Sequence, residues 1–208
     1  MVVSGGLIDY ARALERQRAL VEDVIAGGPD TLFLCEHPAV ITLGRRSHEA
    51  HLLRPRKDLA AQGVSVISVD RGGDVTLHAP GQMVIYPVVN LKRRGWGLGE
   101  YLRKLEQLGV DLLKGFGILA TGDDGRRGVW VGKEKVASIG IGVRRWVTYH
   151  GMAVNVNNDL GLFRLIRPCG LDVQMTSLGR ILGKPVDMAE VRRRIEQQFK
   201  DFMMGSSI

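Results

Sequence analysis

The residue best suited to covalent chemistry is a cysteine, Cys169, in the segment RPCG. The flanking proline fixes φ and lacks an N–H, and the flanking glycine permits unusual dihedral angles, so a loop is predicted. Arg164 and Arg167 lie just upstream, and nearby positive charge favours the nucleophilic thiolate over the thiol. On these residues alone, a structural role for Cys169 stays open. The other cysteine, Cys35, fits a buried structural role better.

A lysine at the start of a predicted strand is the second candidate. Lys135 follows a turn at Gly132 and Lys133 in the stretch GKEKVASIGIG, and strand alternation would place it on one face with Ala137 and Ile139. Such a position could bury part of the side chain, although a solvated turn lysine is the commoner case. Lys135 is therefore a catalytic candidate only if the fold supplies a reactive partner.

Two glycine-containing segments could bring backbone close to a ligand. In RGGDVTLH, Gly72 and Gly73 permit close approach or a positive φ, Arg71 could anchor an anion, and His78 could exchange a proton. The same pattern also fits a glycine bulge between strands, and it is neither a Walker loop nor a dinucleotide-binding motif. In YHGMAVNVN, His150 again precedes a glycine.

Hydrophobic periodicity predicts a single α+β domain over residues 1–208. Amphipathic stripes predict helices over residues 7–25, 100–116 and 188–202. β-rich runs predict strands over residues 31–34, 39–43 and 64–69. Residues 70–91 are predicted to form a hairpin that turns at Pro80 and Gly81, and residues 129–156 to form a β-meander.

The composition argues against several classes of protein. The chain of 208 residues is 45% hydrophobic and 25% charged, which is ordinary for a globular protein. No stretch approaches the roughly 18 consecutive apolar residues of a membrane span, and the N-terminus lacks the order of a signal peptide. We therefore expect a cytoplasmic protein without a membrane partner. Two cysteines argue against a disulfide framework and a structural zinc site, so no metal is expected.

The net charge of +7 leaves three interpretations open. It indicates a solvated basic surface, an acidic protein partner or nucleic acid. Nucleic acid is disfavoured because the sequence has no zinc-finger pattern, no RNP-type aromatic pattern and no long basic tract interleaved with aromatic residues. An acidic protein partner stays open.

Four segments, in this order, resemble the octanoyltransferases of lipoate biosynthesis: EHPAVITLGRRS, RGGDVTLHAPGQMVIYPVVNL, GKEKVASIGIGVRRWVTYHGMAVNVNNDL and RPCG. The resemblance runs over residues 34–177, and the ordered set is far more specific than any single motif. Leu77 and Ala79 depart from the commonest pattern, in which an aromatic residue and a glycine are frequent. These departures bear on the shape of the pocket and not on activity.

The resemblance implies the fold of the biotin and lipoate protein ligases, in which a mixed β-sheet is flanked by helices. It also implies that Cys169 carries the acyl group as a thioester and that Lys135 is its catalytic partner. The substrate-contacting residues that it implies come from three segments and comprise Arg71, Gly72, Gly73, Asp74, Val75, Thr76, Leu77, His78, Ser138, Ile139, Gly140, Gly151, Met152 and Ala153.

The implied reaction moves an octanoyl group between two carrier proteins. The donor is octanoyl-acyl carrier protein, and the acceptors are lysines in the lipoyl domains of 2-oxoacid dehydrogenases and in the glycine cleavage H protein. A covalent intermediate suits such a transfer, and a nearby ammonium would lower the pKa of the attacking thiol. No cofactor is expected because the thioester donor is already activated. The implied carriers are acidic, so they could be steered by Arg144, Arg145, Arg164 and Arg167.

Two other functions stay open. An ATP-dependent lipoate–protein ligase could use the same fold, but it would bind an adenylate and would not need a cysteine nucleophile. A non-catalytic module that binds a carrier protein or nucleic acid would use the basic surface alone. That second alternative predicts an unreactive Cys169.

Overall fold

The computed structural model describes residues 1–122, 125–167 and 173–204, so Cys169 lies outside the described residues. The helices are α1 (Tyr10–Ile25), α2 (Arg56–Ala61), α3 (Leu91–Arg94), α4 (Leu98–Gly115), α5 (Leu178–Leu182) and α6 (Met188–Met204). The strands are β1 (Val2–Leu7), β2 (Thr31–Glu36), β3 (Val40–Leu43), β4 (Ser65–Ser68), β5 (Val75–His78), β6 (Gln82–Val88), β7 (Thr121–Gly122), β8 (Gly128–Val131), β9 (Glu134–Arg144) and β10 (Val147–Asn155). Two short 3-10 helices cover Glu49–His51 and Leu160–Leu165.

The strands form two sheets. The larger sheet has the order β1-β2-β6-β10-β9-β8-β7, and the smaller has the order β4-β3-β5. Both are mixed, since β1 runs parallel to β2 and β4 runs parallel to β3, while the other pairs are antiparallel. The predicted α+β fold with a mixed sheet flanked by helices is confirmed.

Side-chain alternation in the central strands sends apolar residues to both faces of the larger sheet. On one face, Met152 and Val154 of β10 pack in the main core with α4 and α6. On the other face, Tyr149 and Val147 of β10 pack with the buried side of α1. The β-rich pattern of these strands thus reflects burial on both sides. Among the described residues, no helix combines the length and the apolar character needed to cross a membrane.

The first helix starts later than its apolar pattern predicts. Leu7 belongs to strand β1 and is 61% exposed, and the helix begins at Tyr10. Asp9 caps it, because its side-chain oxygen accepts hydrogen bonds from the backbone N–H groups of Ala11 at 2.8 Å and Arg12 at 3.3 Å. The cap places the buried Tyr10 side chain at the start of α1.

The predicted hairpin over residues 70–91 is wrong. Strand β5 pairs with β3 in the smaller sheet, whereas β6 pairs with β2 and β10 in the larger sheet. Between them Gly81 has a φ of +84°, and a Cβ atom there would lie 2.8 Å from the backbone nitrogen of Asn158. The alternation of Val75 and Leu77 correctly indicates a strand, but it carries no information on which distant strand is the partner.

The β-meander is confirmed as β8, β9 and β10, with Gly132 and Lys133 in the first turn. A bulge at its start changes which residues share a face: Lys135 pairs with Trp130, but Ala137 pairs with Val129. Because Trp130 and Val129 are adjacent in β8, Lys135 and Ala137 point to opposite faces. The predicted shared face of Lys135 and Ala137 is therefore wrong.

Candidate active site

A cavity of about 640 Å³ is lined by residues of both sheets and by the first residue of α1. All the substrate-contacting residues predicted above line it except Gly72 and Leu77, and Lys135 lines it as well. Leu77 is buried in the core of the smaller sheet. Gly72 instead joins the two sheets, because its N–H donates a 2.7 Å hydrogen bond to the Ile141 carbonyl of β9.

Lys135 is fixed by backbone hydrogen bonds beyond its pairing with β8. Its N–H donates to the Gln174 carbonyl at 2.8 Å, and its carbonyl accepts from the Thr176 N–H at 2.9 Å. Its ammonium nitrogen lies 5.2 Å from the centre of the Trp130 ring, within the range of a cation–π interaction. Both the backbone and the side chain of Lys135 are thus held at the cavity wall.

The strand beside Lys135 is anchored by a buried carboxylate. Glu106 of α4, which is 5% exposed, accepts a hydrogen bond from the Gly128 N–H at 3.2 Å and pairs with Arg127 at 2.9 Å. Gly128 itself leaves space for the lysine, because a Cβ atom there would collide with the Cε atom of Lys135.

The residues on both sides of the segment 168–172 reach the cavity or its wall. Phe163 lies before the segment, Val173 and Met175 follow it, and all three line the cavity. The N–H of Arg167 donates a 2.9 Å hydrogen bond to the carbonyl of His51. The chain that carries Cys169 is therefore tied to the cavity on both sides, although Cys169 lies outside the described residues.

Arg71 is a buried cation at the cavity wall. Its guanidinium donates to the Thr42 hydroxyl at 2.9 and 3.2 Å and to the Thr42 carbonyl at 2.8 Å. Among the described residues, no carboxylate lies within ion-pair distance of it, and burial lowers the pKa of the guanidinium. A buried positive charge held by neutral oxygens is suited to a partly negative ligand atom.

A histidine–carboxylate pair also lies at the cavity. The Nδ1–H of His51 donates to the Asp74 carboxylate at 2.8 Å. The Asp74 side chain is only 4% exposed, so this hydrogen bond fixes the imidazole relative to the RGGD segment. Asp74 is among the residues expected from the sequence, whereas His51 was not anticipated.

Four buried aromatic side chains lie at another part of the cavity wall, and we name them the end cluster: Tyr10, His78, Tyr86 and His150. The Tyr10 and His78 rings stack at 5.6 Å between centroids, and the Tyr86 and His150 rings meet edge to face at 6.4 Å. The Tyr10 hydroxyl lies 3.3 Å from His150 Nδ1, which accepts its hydrogen bond.

Hydrogen bonds lock the end cluster in one arrangement. His150 Nε2–H donates to the Asp70 carboxylate at 3.1 Å, and the Tyr149 hydroxyl donates to the same group at 2.8 Å. His78 Nδ1–H donates to the side-chain amide oxygen Oε1 of Gln82 at 2.8 Å. Asp70 can only accept when ionised, which sets the tautomer of His150.

The end cluster is uncharged near neutral pH. Burial lowers the pKa of His150 to about 4 and lowers the pKa of His78 well below its ordinary value. Burial raises the pKa of Tyr10 to about 12 and raises that of Tyr86 well above its ordinary value. The charge of the buried Arg71 guanidinium acts on all four groups, so this part of the wall combines neutral rings with one buried positive charge.

His150 has a backbone φ of +55° within strand β10. A non-glycine residue in this region is strained, and such strain persists only where the surroundings hold it in place. Here the Gln17 side chain of α1 accepts a 2.7 Å hydrogen bond from the His150 N–H. The sequence signal for His150 was its place before a glycine, whereas Tyr10 and Tyr86 carried no signal that separates them from core residues.

Two of the four arginines expected to meet an acidic carrier lie away from Lys135. Arg144 and Arg145 are at the end of β9 remote from Lys135, and Arg144 pairs with Glu22 at 2.9 Å. Arg46, Arg126 and Arg127 instead line the cavity, although no sequence motif indicates them. The basic rim of the cavity is thus built from residues that are far from RPCG in the sequence.

The fold is that of the lipoate protein ligases. The structure of a bipartite lipoate protein ligase from Thermoplasma acidophilum, described together with its E2 lipoyl domain, matches 98% of this chain and 85% of its own length. The TM-score is 0.67 at 13% sequence identity, so this likeness concerns the fold alone.

The chain belongs to the family of lipoyl protein ligase A/B catalytic domains, whose family model matches residues 9–200. Its relatives include the octanoyltransferase of Syntrophobacter fumaroxidans, which is 47% identical over 91% of this chain and 84% of the relative. The octanoyltransferase of Geobacter metallireducens is 46% identical over 96% of this chain and 91% of the relative. The family predicted from the four sequence segments is confirmed.

Proposed function

We propose that this chain is an octanoyltransferase that moves an octanoyl group from octanoyl-acyl carrier protein to a lysine of a lipoyl domain. The observation that carries the proposal is the family membership, with octanoyltransferases as relatives at 46–47% identity. The cavity adds chemical support, because it combines Lys135 with apolar walls such as Val75 and Val84.

The proposed nucleophile is Cys169, with Lys135 as its partner. Support comes from the residues around the segment 168–172, since Phe163, Val173 and Met175 line the same cavity as Lys135. An ammonium near a thiol stabilises the thiolate, so Lys135 favours the nucleophilic form of Cys169.

In the first step, the Cys169 thiolate attacks the carbonyl carbon of the donor thioester. The carbon–sulfur bond to the carrier breaks, and the carrier leaves as a thiol after it takes a proton from the Lys135 ammonium. The octanoyl group is then a thioester of Cys169. The step exchanges one thioester for another and requires no cofactor.

In the second step, the amine of the acceptor lysine attacks the Cys169 thioester. Neutral Lys135 takes the proton that the amine must lose, and Cys169 leaves as a thiolate. An amide replaces a thioester, which makes this step favourable. The enzyme returns to its starting charge state.

The proposed partners fit the charge of the cavity rim. Arg46, Arg126 and Arg127 line the cavity, and acyl carrier proteins and many lipoyl domains are acidic. We include lipoyl domains of the 2-oxoacid dehydrogenases and the glycine cleavage H protein among the acceptors and place the reaction in the cytoplasm, where these carriers are made.

Intact mass spectrometry tests the covalent step. Wild-type protein mixed with octanoyl-acyl carrier protein should gain one octanoyl group, and Cys169→Ser should gain none. Lys135→Met should slow the gain while the circular dichroism spectrum stays native. An octanoyl group that still appears on Cys169→Ser would reject Cys169 as the nucleophile.

The fold also suits an ATP-dependent lipoate–protein ligase, and one comparison separates the two reactions. The proposed transferase should modify a lipoyl domain with octanoyl-acyl carrier protein in the absence of ATP. Modification with free lipoate and ATP that survives Cys169→Ala would favour the ligase.

A further inference from the structure

The last residue of strand β10, Asn155, has a buried side-chain amide behind the cavity wall. The residue is 1% exposed and is not among those that line the cavity. Its Oδ1 atom accepts hydrogen bonds from Gln82 Nε2 at 2.9 Å and from Asn158 Nδ2 at 3.2 Å. Its Nδ2 atom donates to the Thr176 carbonyl at 3.0 Å. A buried amide with these partners holds separate segments of the chain in one arrangement.

The neighbours of Asn155 fix the direction in which its amide points. Gln82 Nε2 must face the Leu77 carbonyl, 3.2 Å away, because a carbonyl oxygen can only accept a hydrogen bond. Gln82 Oε1 then faces His78 Nδ1, and the second Nε2 hydrogen of Gln82 faces Asn155 Oδ1. The Asn155 nitrogen therefore faces the Thr176 carbonyl, which also can only accept. The backbone carbonyls at the two ends of this chain of hydrogen bonds thus require the same orientation of both amides.

The chain of hydrogen bonds continues from Thr176 to the backbone of Lys135. Residues 174–176 run beside Lys135, and we name them the brace. The Thr176 N–H donates to the Lys135 carbonyl at 2.9 Å, and the Lys135 N–H donates to the carbonyl of the first brace residue at 2.8 Å. The middle brace residue, Met175, is the parallel bridge partner of Lys135 and lines the cavity. Asn155 therefore joins the brace, and through it Lys135, to the end of β10.

Lys135 depends on the brace because its pairing with β8 is irregular. The register of β8 and β9 shifts between Val129 and Trp130, and Lys135 pairs with Trp130 at this bulge. A bulge locally disrupts the ladder of hydrogen bonds between two strands. The hydrogen bonds to the brace therefore supply backbone order on the other side of Lys135.

We propose that Asn155 is a positioning residue that holds Lys135 in its catalytic place through the brace. The inference rests on the proposed octanoyl transfer, because that reaction gives Lys135 its role as a proton carrier. Without the Asn155 amide, the buried Thr176 carbonyl loses its side-chain partner, and the brace is free to move away from β10. The backbone of Lys135 moves with the brace, and its ammonium leaves the place from which it transfers a proton.

A double-mutant cycle tests whether Asn155 acts through Lys135. The proteins are wild type, Asn155→Ala, Lys135→Met and the double variant, and the readout is the rate of octanoyl loading at saturating octanoyl-acyl carrier protein. Asn155→Ala should slow loading about 100-fold, because a displacement of about 1 Å is enough for such a loss. The KM for the donor should change less than about twofold, because Asn155 does not contact the cavity. In the Lys135→Met background, Asn155→Ala should slow loading less than about threefold, because the group that it positions is absent.

Asn157→Ala is the matched control. The Asn157 side chain also bridges to backbone, since its Nδ2 atom donates to the Val186 carbonyl at 2.7 Å and its Oδ1 atom accepts from the Val186 N–H at 2.9 Å. Its removal releases the segment before α6 and leaves the brace in place, so loading should stay within about threefold of wild type. Hydrogen exchange gives a second readout, because the amides of Lys135 and Thr176 should exchange faster in Asn155→Ala than in Asn157→Ala.

Two results would overturn the positioning role of Asn155. One is an equal fold-loss from Asn155→Ala in the wild-type and Lys135→Met backgrounds, and the other is equal loading of Asn155→Ala and Asn157→Ala. If Asn155→Ala does not fold, Asn155→Ser takes its place in the cycle, because a serine hydroxyl is too short to join Gln82 to Thr176. Failures of the proposed function give different results: Lys135→Met that loads as fast as wild type would reject the role of Lys135, and wild type that is not loaded would reject octanoyl transfer. Either result would also remove the role of Asn155.

Discussion

The side chain of Lys135 occupies space that opens because residue 128 is a glycine. A Cβ atom on residue 128 would collide with the Lys135 Cε atom and with the Ala137 carbonyl oxygen. Gly128 also has a φ of +145°, which L-residues rarely adopt. The place of the proposed catalytic amine therefore depends on the absence of a side chain in the neighbouring strand.

Gly128→Ala is expected to displace Lys135 and to slow acyl loading by about 100-fold, because a shift of about 1 Å is enough for such a loss. Rapid-quench loading followed by intact mass measures the rate. Gly132→Ala is the matched control, since Gly132 also has a positive φ, of +59°, but a Cβ atom there meets nothing within 4 Å. Equal rates in the two variants would contradict the steric role of Gly128.

The Thr42 hydroxyl is expected to position Arg71. Thr42→Val keeps the shape but removes the acceptor of two guanidinium hydrogen bonds. The free energy of unfolding should fall by about 2 kcal/mol, because a buried charged group loses one acceptor and keeps the backbone carbonyls of Thr42 and Gly72. Thr42→Ser should stay close to wild type, and urea unfolding measures both. A wild-type KM for the octanoyl donor in folded Thr42→Val would show that Arg71 needs no such positioning.

The buried histidines make stability depend on pH. The pKa of folded His150 is about 4, below the unfolded value of about 6.5, so the unfolded state binds the extra proton between these values. Stability is fully present above pH 6.5 and is lost as the pH falls towards 4, by up to about 3 kcal/mol from His150. His78 and His37 act in the same direction because burial lowers their pKa values too.

Urea unfolding at pH 7.5 and pH 5 tests this pH dependence. His150→Asn should lose less stability between the two values than wild type, because one titrating group is removed. Asparagine is chosen because it tolerates the positive φ of residue 150 better than most residues. An unchanged difference between the two pH values would mean that His150 is not responsible.

The basic rim is expected to speed the encounter with an acidic carrier protein. Arg46 is exposed and lines the cavity, so Arg46→Glu should lower kcat/KM for octanoyl-acyl carrier protein about tenfold. Added salt should reduce the difference between the variant and wild type. With the small thioester octanoyl-pantetheine, the two proteins should react at similar rates. A similar loss with both donors would place Arg46 in the binding of the acyl group.

Local patterns predicted the long helices and most of the strands, but not the short helices, strand β1 or the partners of the strands. The β-meander and the last two long helices follow from apolar periodicity and turn residues, and the structure confirms them. The pairing of β5 with β3, and of β6 with β2 and β10, is set by packing between distant segments. A pattern with a period of two residues is satisfied equally by a hairpin and by strands in two sheets.

Only part of the site was predicted, because local patterns do not show which distant residues the fold brings together. The glycine-rich segment and the lysine strand carry signals in the sequence. Adjacent glycines indicate that backbone can approach a ligand closely, and a lysine that leads into an apolar strand stands out as a single charge. Tyr10 and Tyr86 have the appearance of core residues, and only the fold brings them beside His150. The bulge that turns Lys135 away from Ala137 likewise leaves no mark in the alternation of β9.

The start of α1 has a consequence for how such enzymes could diverge. Asp9 caps the helix, and Tyr10 follows it directly and lines the cavity. One helical turn is about 5.4 Å long, so a cap one turn later would move the first helical residue by that distance without altering any residue of the sheets. The lining of the cavity in a relative could thus change with the position of a capping residue, through short insertions or deletions near the N-terminus.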